Sequence, residues 1–516
     1  MYIKKQIKKI LRRLILSVFI ILLLPLTILA KNINIVSVND FHGYLMEYGD
    51  YPGMAKLVTV LKNEVKRHPN TIIVFGGDNY EGSPLSSFTQ GAPVTDMMRE
   101  VGVVASAIGN HEFYNGIVQI KKWAKDGKFV FLAANIFNKK TDQPVKWAQP
   151  YLIVKKAGIK IAFIGLATQE TPYTTKHKYV ADLVFKDPAI CAQHWIDYLK
   201  AGKDPTGKPD VIIALTHIPS QQDLNTGKII GSRELFSLCN NTRGLDAVIS
   251  AHSHLIVSGY VNHIPVIQAY SYGRAIGHLI IVLNKQGKVV KIIPQVDLIY
   301  KWKNKIKPDV VAQARIIRYV KLLPANMHEV IGVATTTFYR HPSYSRVGQL
   351  QLSPLGAWIC EAMRQHFHTQ IGMLNIGAVR DILPAGKITR LQVMRFYPFQ
   401  DNAVTLKISG ASLYKMLNKH VARGLQFAGI KVFYDRRAKL GRRVVKVTLS
   451  DGTLIDKHKY YSVVATQFML GGGDKMGFPD AIDIKDTQQK VIDALVDFIK
   501  QQKKISPPRE NNLVVL

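Results

Sequence analysis

From Ile33 to about Pro294 the chain alternates short apolar runs with segments whose apolar residues recur at helical spacing. The runs at 33–38, 71–75, 103–108, 211–215 and 247–249 are apolar almost throughout, the pattern of strands buried on both faces. Between them, 54–67, 117–125 and 189–200 read as helices. This alternation predicts an α/β domain, 31–298, with helices covering its sheets. The pattern changes over 301–324, which is dense in Lys and Arg and has Pro308 at a helix-start position. Val310, Val311, Ala314, Ile317, Val320 and Leu323 follow at roughly helical spacing. They predict a linker helix within 299–326 with those residues on its apolar face, ended near Pro324. From 327 to 500, helical stretches (355–367, 411–422) mix with strand-like ones (404–408, 430–434, 444–449, 460–465). That mixture predicts a second, smaller α+β domain. Residues 501–516, with Pro507 and Pro508, are expected to form a loosely held tail. At 516 residues the chain exceeds one compact core, in keeping with two domains.

The first 30 residues stand outside this pattern. Lys4, Lys5, Lys8, Lys9, Arg12 and Arg13 precede an apolar stretch over 14–29, and Ala30 is a small residue for cleavage. This pattern predicts a signal peptide, with the mature chain expected in the periplasm or outside the cell. Ile28 departs from the small-residue rule for the cleavage site, which leaves an uncleaved membrane anchor as the alternative. Membrane contact is expected only in that case. The six cations of this segment reduce the formal +33 to +27, still a strong attraction for anions. No compact Lys/Arg run is interleaved with aromatics, so no dedicated nucleic-acid module is expected. Three cysteines exclude a disulfide scaffold. Cys191 and Cys239 could pair in an exported chain, while Cys360 sits in an apolar helical stretch and reads as core.

The candidate chemistry lies where the N-terminal apolar runs end. Asp40-Phe41-His42, Gly77-Asp78, Gly109-Asn110-His111-Glu112, Thr216-His217 and Ala251-His252-Ser253-His254 follow five such runs in order. Ligands at the ends of several strands are how an α/β fold gathers a site from distant sequence. Carboxylate, amide and imidazole donors without thiolate suit divalent ions such as zinc or manganese. Asp40 and His42 alternate, so an extended backbone would turn both toward one ion. Asp78 follows two glycines that permit close backbone approach, and one carboxylate can bridge two cations. Each short motif alone is also what a turn or a cap looks like. Five in order, each after a strand-like run, point to a metal site.

Asp40-x-His42, Gly77-Asp78, Gly109-Asn110-His111-Glu112, His217 and His252-x-His254 together resemble the calcineurin-like metallophosphoesterase signature. The resemblance implies a four-layer α/β/β/α sandwich with two divalent metal ions, zinc or manganese. It implies Asp40, His42, Asp78 and His254 around one ion and Asp78, Asn110, His217 and His252 around the other. His111 would then be catalytic, serving the leaving group, while a metal-activated hydroxide attacks phosphorus.

In the second half, Asn375-Ile376-Gly377-Ala378-Val379-Arg380, Tyr397-Pro398-Phe399 and the run from Gln467 to Asp474 resemble the C-terminal domain of the 5′-nucleotidase family. That resemblance implies that Phe399 and Phe468 sandwich a nucleobase, Asp474 binds the ribose hydroxyls, Asn375 the base, and Arg380 the phosphate. It also implies rotation about the linker that brings the two domains together. Three positions depart from the family pattern. Tyr114 replaces the Asp that orients the catalytic imidazole, Gly356-Ala357-Trp358 replaces Gly-Asn-Leu, and Gln349 replaces an Arg for which Arg346 is the nearby substitute. The expected activity is hydrolysis of nucleoside 5′-monophosphates for nucleotide salvage. Hydrolysis of UDP-sugars or 2′,3′-cyclic nucleotides by the same site is the alternative. A secreted nucleotide-binding or surface-interaction protein with weakened catalysis is the alternative of another class. The sequence leaves oligomeric state open.

Overall fold

A computed structural model describes residues 32–223, 225–340 and 350–516. The expected signal peptide, Arg346 and Gln349 lie outside these residues.

Two six-stranded sheets dominate the N-terminal half. The first runs, edge to edge, Val289–Asp297, Ile276–Leu283, Ile33–Val38, Thr71–Phe75, Val103–Ala107 and Val130–Leu132. The second runs Ile256–Val261, Ile264–Ala269, Ala247–Ala251, Val211–Pro219, Ile159–Ala167 and Tyr151–Lys156. Their inner faces share one core, with Ile35, Val74 and Ala105 from the first and Phe163, Ile213 and Ile249 from the second. Helices Gly53–Arg67, Ala92–Glu100 and Gly116–Gly127 cover the first sheet, and Pro188–Lys200 and Arg233–Asn241 cover the second. The order of layers is α/β/β/α. Strands buried on both faces have no polar alternation to display, which is why they read as continuous apolar runs. Cys191 and Cys239 do not pair. They lie as free thiols in the core of the second helical layer, where they pack as small apolar groups.

The linker helix spans Val310–Val320 and is capped by the Asp309 side chain, which accepts from the Ala312 N–H. Its buried residues are Ala312 and Ile316, with Tyr319, Val320 and Leu323 packed partly behind them. This corrects the expected face, because Val310, Val311, Ala314 and Ile317 turn outward. Both sides of the helix carry apolar residues, so periodicity alone could not choose between them. Ion pairs choose: Lys62 bridges Glu100 and Asp309, Arg315 pairs with Glu100, and the Tyr319 hydroxyl donates to Asp96.

The C-terminal half holds a mixed five-stranded sheet ordered Leu425–Ala428, Ile371–Asn375, Tyr460–Thr466, Asn402–Ser409 and Ile482–Lys490. Helices Pro354–His366 and Val491–Gln502 share one core, and Gly410–His420 belongs to another. The final residues are not a loose tail. Lys504–Ile505 pairs in parallel with Val330–Ala334, and Leu513–Val515 pairs in parallel with Ile430–Tyr434. Leu513 is buried, so Pro507 and Pro508 mark a crossing between two small sheets.

Candidate metal centre and adjoining cavity

The predicted ligands converge, but not on extended backbone. The first strand ends at Val38, and Asp40 and His42 both adopt left-handed φ values of 49° and 52°. Asp78, His252 and His254 are also left-handed, at 53°, 72° and 56°. Five of the seven predicted ligands therefore sit in a conformation that costs most residues energy and that Asn, Asp and His tolerate better. The cradle depends on glycine as well. A Cβ at Gly77 would lie 2.7 Å from the Gly109 nitrogen, and one at Gly109 would lie 2.1 Å from Asp78 Oδ1.

Three overlapping groups of donors form, the middle one being His42, Asp78 and His111. Asp40, His42 and His254 gather on one side, with His42 Nε2 2.9 Å from His254 Nε2 and His254 Nε2 3.4 Å from Asp40 Oδ1. Asp78, His217 and His252 gather on the other, with His217 Nε2 3.1 Å from Asp78 Oδ2 and 3.2 Å from His252 Nδ1. Asp78 joins them, since its Oδ2 also lies 3.9 Å from His42 Nε2. Outer partners fix the rings. His42 Nδ1 donates to the Glu81 carbonyl at 2.6 Å and His217 Nδ1 to the Gly76 carbonyl at 2.8 Å, so both Nε2 atoms turn inward. Asn110 Nδ2 donates to the Thr174 carbonyl at 2.8 Å. Its Oδ1 is buried without a hydrogen-bond partner among the described residues. A buried amide oxygen left unpaired this way is what a cation ligand requires, and the whole donor set fits divalent ions.

Burial, reinforced by the neighbouring cations, holds His42 and His254 at about 3 and His252 at about 4, so all three are neutral donors at pH 7. Burial opposes charge on His217 too, but the Asp78 carboxylate beside it lifts that imidazole to about 10.

Sequence reasoning named Glu112 only as part of a motif. The structure shows it as an anchor: its carboxylate accepts the backbone N–H groups of Asp78, Asn79 and Gly109 at 2.8, 2.7 and 2.7 Å. Burial, with Asp78 nearby, raises it to about 7. Asn39, which donates to Asp40 at 2.6 Å, and Tyr272, whose hydroxyl lies 3.2 Å from His254 Nδ1, were not foreseen. Neither carries a local sequence signal, because each acts through tertiary contact.

A cavity of about 210 Å³ opens beside these ligands. One wall carries Asp78, Asn110, His111, Tyr114, His252 and His254. The other carries Asn375, Arg380, Phe399, Phe468 and Asp474, every substrate residue named from sequence. Arg380 Nη2 donates to His111 Nε2 at 3.1 Å across the domain boundary. Asn375 Nδ2 donates to Asp474 Oδ2 at 2.7 Å. Tyr114 stacks on His111 at 4.8 Å with ring planes 10° apart, and His111 Nδ1 has no partner among the described residues. Burial first, with Arg380 and His42 adding to it, keeps His111 well below the ordinary histidine range despite Asp78. Asp401, also lining the cavity, pairs with Lys176 at 3.5 Å, a contact between domains that sequence did not reveal.

Comparison with known proteins agrees with this geometry. Residues 33–255 match the calcineurin-like phosphoesterase family and residues 330–480 the 5′-nucleotidase C-terminal domain. Protein UshA of Yersinia enterocolitica is 27% identical over 493 residues, covering 87% of this chain and 86% of UshA. Endonuclease YhcR of Bacillus subtilis is 27% identical over 502 residues, covering 91% of this chain, which spans only 39% of YhcR. The crystal structure of a 5′-nucleotidase precursor from Thermus thermophilus superposes with a TM-score of 0.80 at 23% identity, over 94% of this chain and 99% of that one. With both domains matched in the same order along one chain, the protein belongs to the metallophosphoesterases of the 5′-nucleotidase family.

Proposed function

We propose that the protein is an exported, metal-dependent 5′-nucleotidase that releases phosphate from nucleoside 5′-monophosphates, for nucleotide salvage. One observation carries this reading: a single cavity joins the metal-ligand cluster to Arg380, Phe399, Phe468 and Asp474. Zinc or manganese ions would be held by Asp40, His42, Asp78 and His254 and by Asp78, Asn110, His217 and His252. Bound there, they would supply Lewis acidity toward phosphoryl oxygens and lower the pKa of water in the site.

The chain's own residues do the rest. Arg380 reaches from the substrate wall to His111, and its Nε is buried without a partner among the described residues. A phosphate entering the cavity takes the guanidinium donors and frees His111 Nε2. The phosphate's negative charge then favours a proton on His111, opposing the burial that keeps it neutral. The imidazolium can pass that proton to the departing ribose oxygen. Phe399 and Phe468 present faces on which any base can stack. The Asp474 carboxylate, fixed by Asn375, is an acceptor for a ribose diol.

The test is inorganic phosphate release from AMP with Mn²⁺, Zn²⁺ or chelator, beside Asp78→Asn. Metal-dependent release that the substitution reduces to background is the expected result. AMP left intact while a UDP-sugar or 2′,3′-cyclic nucleotide is cleaved would move the substrate assignment and leave the site. No turnover of any of them, with metal bound, would make this a nucleotide-binding protein.

A further inference from the structure

The outward face of the linker helix has no partner among the described residues. Helical spacing puts Val310, Ala314, Ile317 and Lys321 in one row and Val311, Arg318 and Leu322 in the next, counting the turn that follows the helix. Val310 is 81% exposed, Val311 58%, Ile317 48% and Leu322 61%. Neither row contains an acidic residue. Arg318 and Lys321 make no ion pair among the described residues, in contrast to Arg315 on the inner border, which is tied to Glu100. The acid at the helix start, Asp309, is half-buried and bound to Lys62. Just upstream, Lys301, Lys305 and Lys307 are exposed, and Trp302 is exposed with them. Exposed together on neighbouring rows of one helix, these side chains form a contiguous apolar patch of the kind that marks an interaction site, and Arg318 and Lys321 beside it select what covers it.

Three occupants can be compared on charge. A second copy docking by the same face would set Arg318 and Lys321 against their own counterparts, a like-charge contact that costs affinity. A polynucleotide would satisfy the cations and leave four large aliphatic side chains in water. An anionic lipid surface satisfies both, taking the aliphatic side chains into the acyl boundary and Arg318 and Lys321 among headgroup phosphates. We propose that the outward face of Val310–Val320 is a docking surface for anionic membrane lipid. Contact is interfacial, since no helix among the described residues is long and apolar enough to cross a membrane. It is independent of the N-terminal segment.

The test is flotation of the chain from Asn32 to Leu516, which holds every core described above. The vesicles are an equimolar mixture of phosphatidylglycerol and phosphatidylcholine, compared with phosphatidylcholine alone. Binding to the anionic vesicles only, weakened by salt, is expected. Arg318→Gln/Lys321→Gln should lower the partition coefficient about fivefold for each cation removed. Val310→Ser/Ile317→Ser should abolish binding, with an unchanged melting temperature showing that the fold is intact. The proposal fails if neither vesicle binds, if both bind equally, or if the variants bind like the parent. It also fails if gel filtration shows a dimer that Val310→Ser/Ile317→Ser dissociates, because the face is then a self-interface.

Discussion

Tyr114 shows how one residue can change the support of the imidazole proposed to serve the leaving group without removing it. An aspartate three residues after the histidine could accept a hydrogen bond from the ring and favour its protonated form. Tyr114 instead lies flat against His111, fixing orientation by stacking and leaving Nδ1 unpaired among the described residues. A stacked ring pair contributes about 0.5–1.5 kcal/mol beyond its buried area. Tyr114→Ala should therefore lower kcat for AMP about two- to tenfold with KM changed less, while Tyr114→Phe keeps the parent value. If Tyr114→Phe fell as far as Tyr114→Ala, the hydroxyl and not the stacking would be what His111 needs. The same scale separates what sequence discloses from what it hides. The seven predicted ligands and His111 were readable because each closes an apolar run. Glu112 was visible in its motif, but its service to three backbone N–H groups was not, since those groups come from two separate loops.

Elements were readable in proportion to how one-sided their burial is. Predicted helices 54–67 and 189–200 appear as Gly53–Arg67 and Pro188–Lys200, because each pairs an apolar stripe with a polar one. The linker helix defeated the same reasoning, since its sequence supports two apolar stripes and only the ion pairs to Glu100, Asp96 and Lys62 select the inner one. The C-terminal strand defeated it for another reason. Three residues carry no periodicity, and their partner strand lies about eighty positions upstream. Leu513 nevertheless completes a core with Val432 and Val447. Leu513→Ala should destabilise the protein by about 2–5 kcal/mol, read as a lower midpoint in urea. A midpoint within error of the parent would mean that this strand is dispensable after all.

Across the whole molecule, the two halves meet at a seam of polar contacts. Lys176 pairs with Asp401 at 3.5 Å, Lys475 with Glu170 at 2.8 Å, and Arg380 reaches His111. Asp401 is buried, and burial raises its pKa while Lys176 opposes that shift. Lys176→Ala therefore strands a buried carboxylate, and alone should cost more stability than Lys176→Ala combined with Asp401→Asn. A thermal-denaturation cycle that includes Asp401→Asn alone measures this, and losses of the two single variants that simply add in the double would show that the pair is not coupled. The seam also bears on speed. A cavity of about 210 Å³ is smaller than the roughly 300–1,000 Å³ of pockets that bury drug-sized ligands. The rotation between domains that the family resemblance implies would admit a nucleotide and release its nucleoside. With such a rotation, the contacts that assemble the site would also set a ceiling on its throughput: each one strengthened would lengthen the dwell of every product, and an overly secure seam would turn a catalyst into a trap.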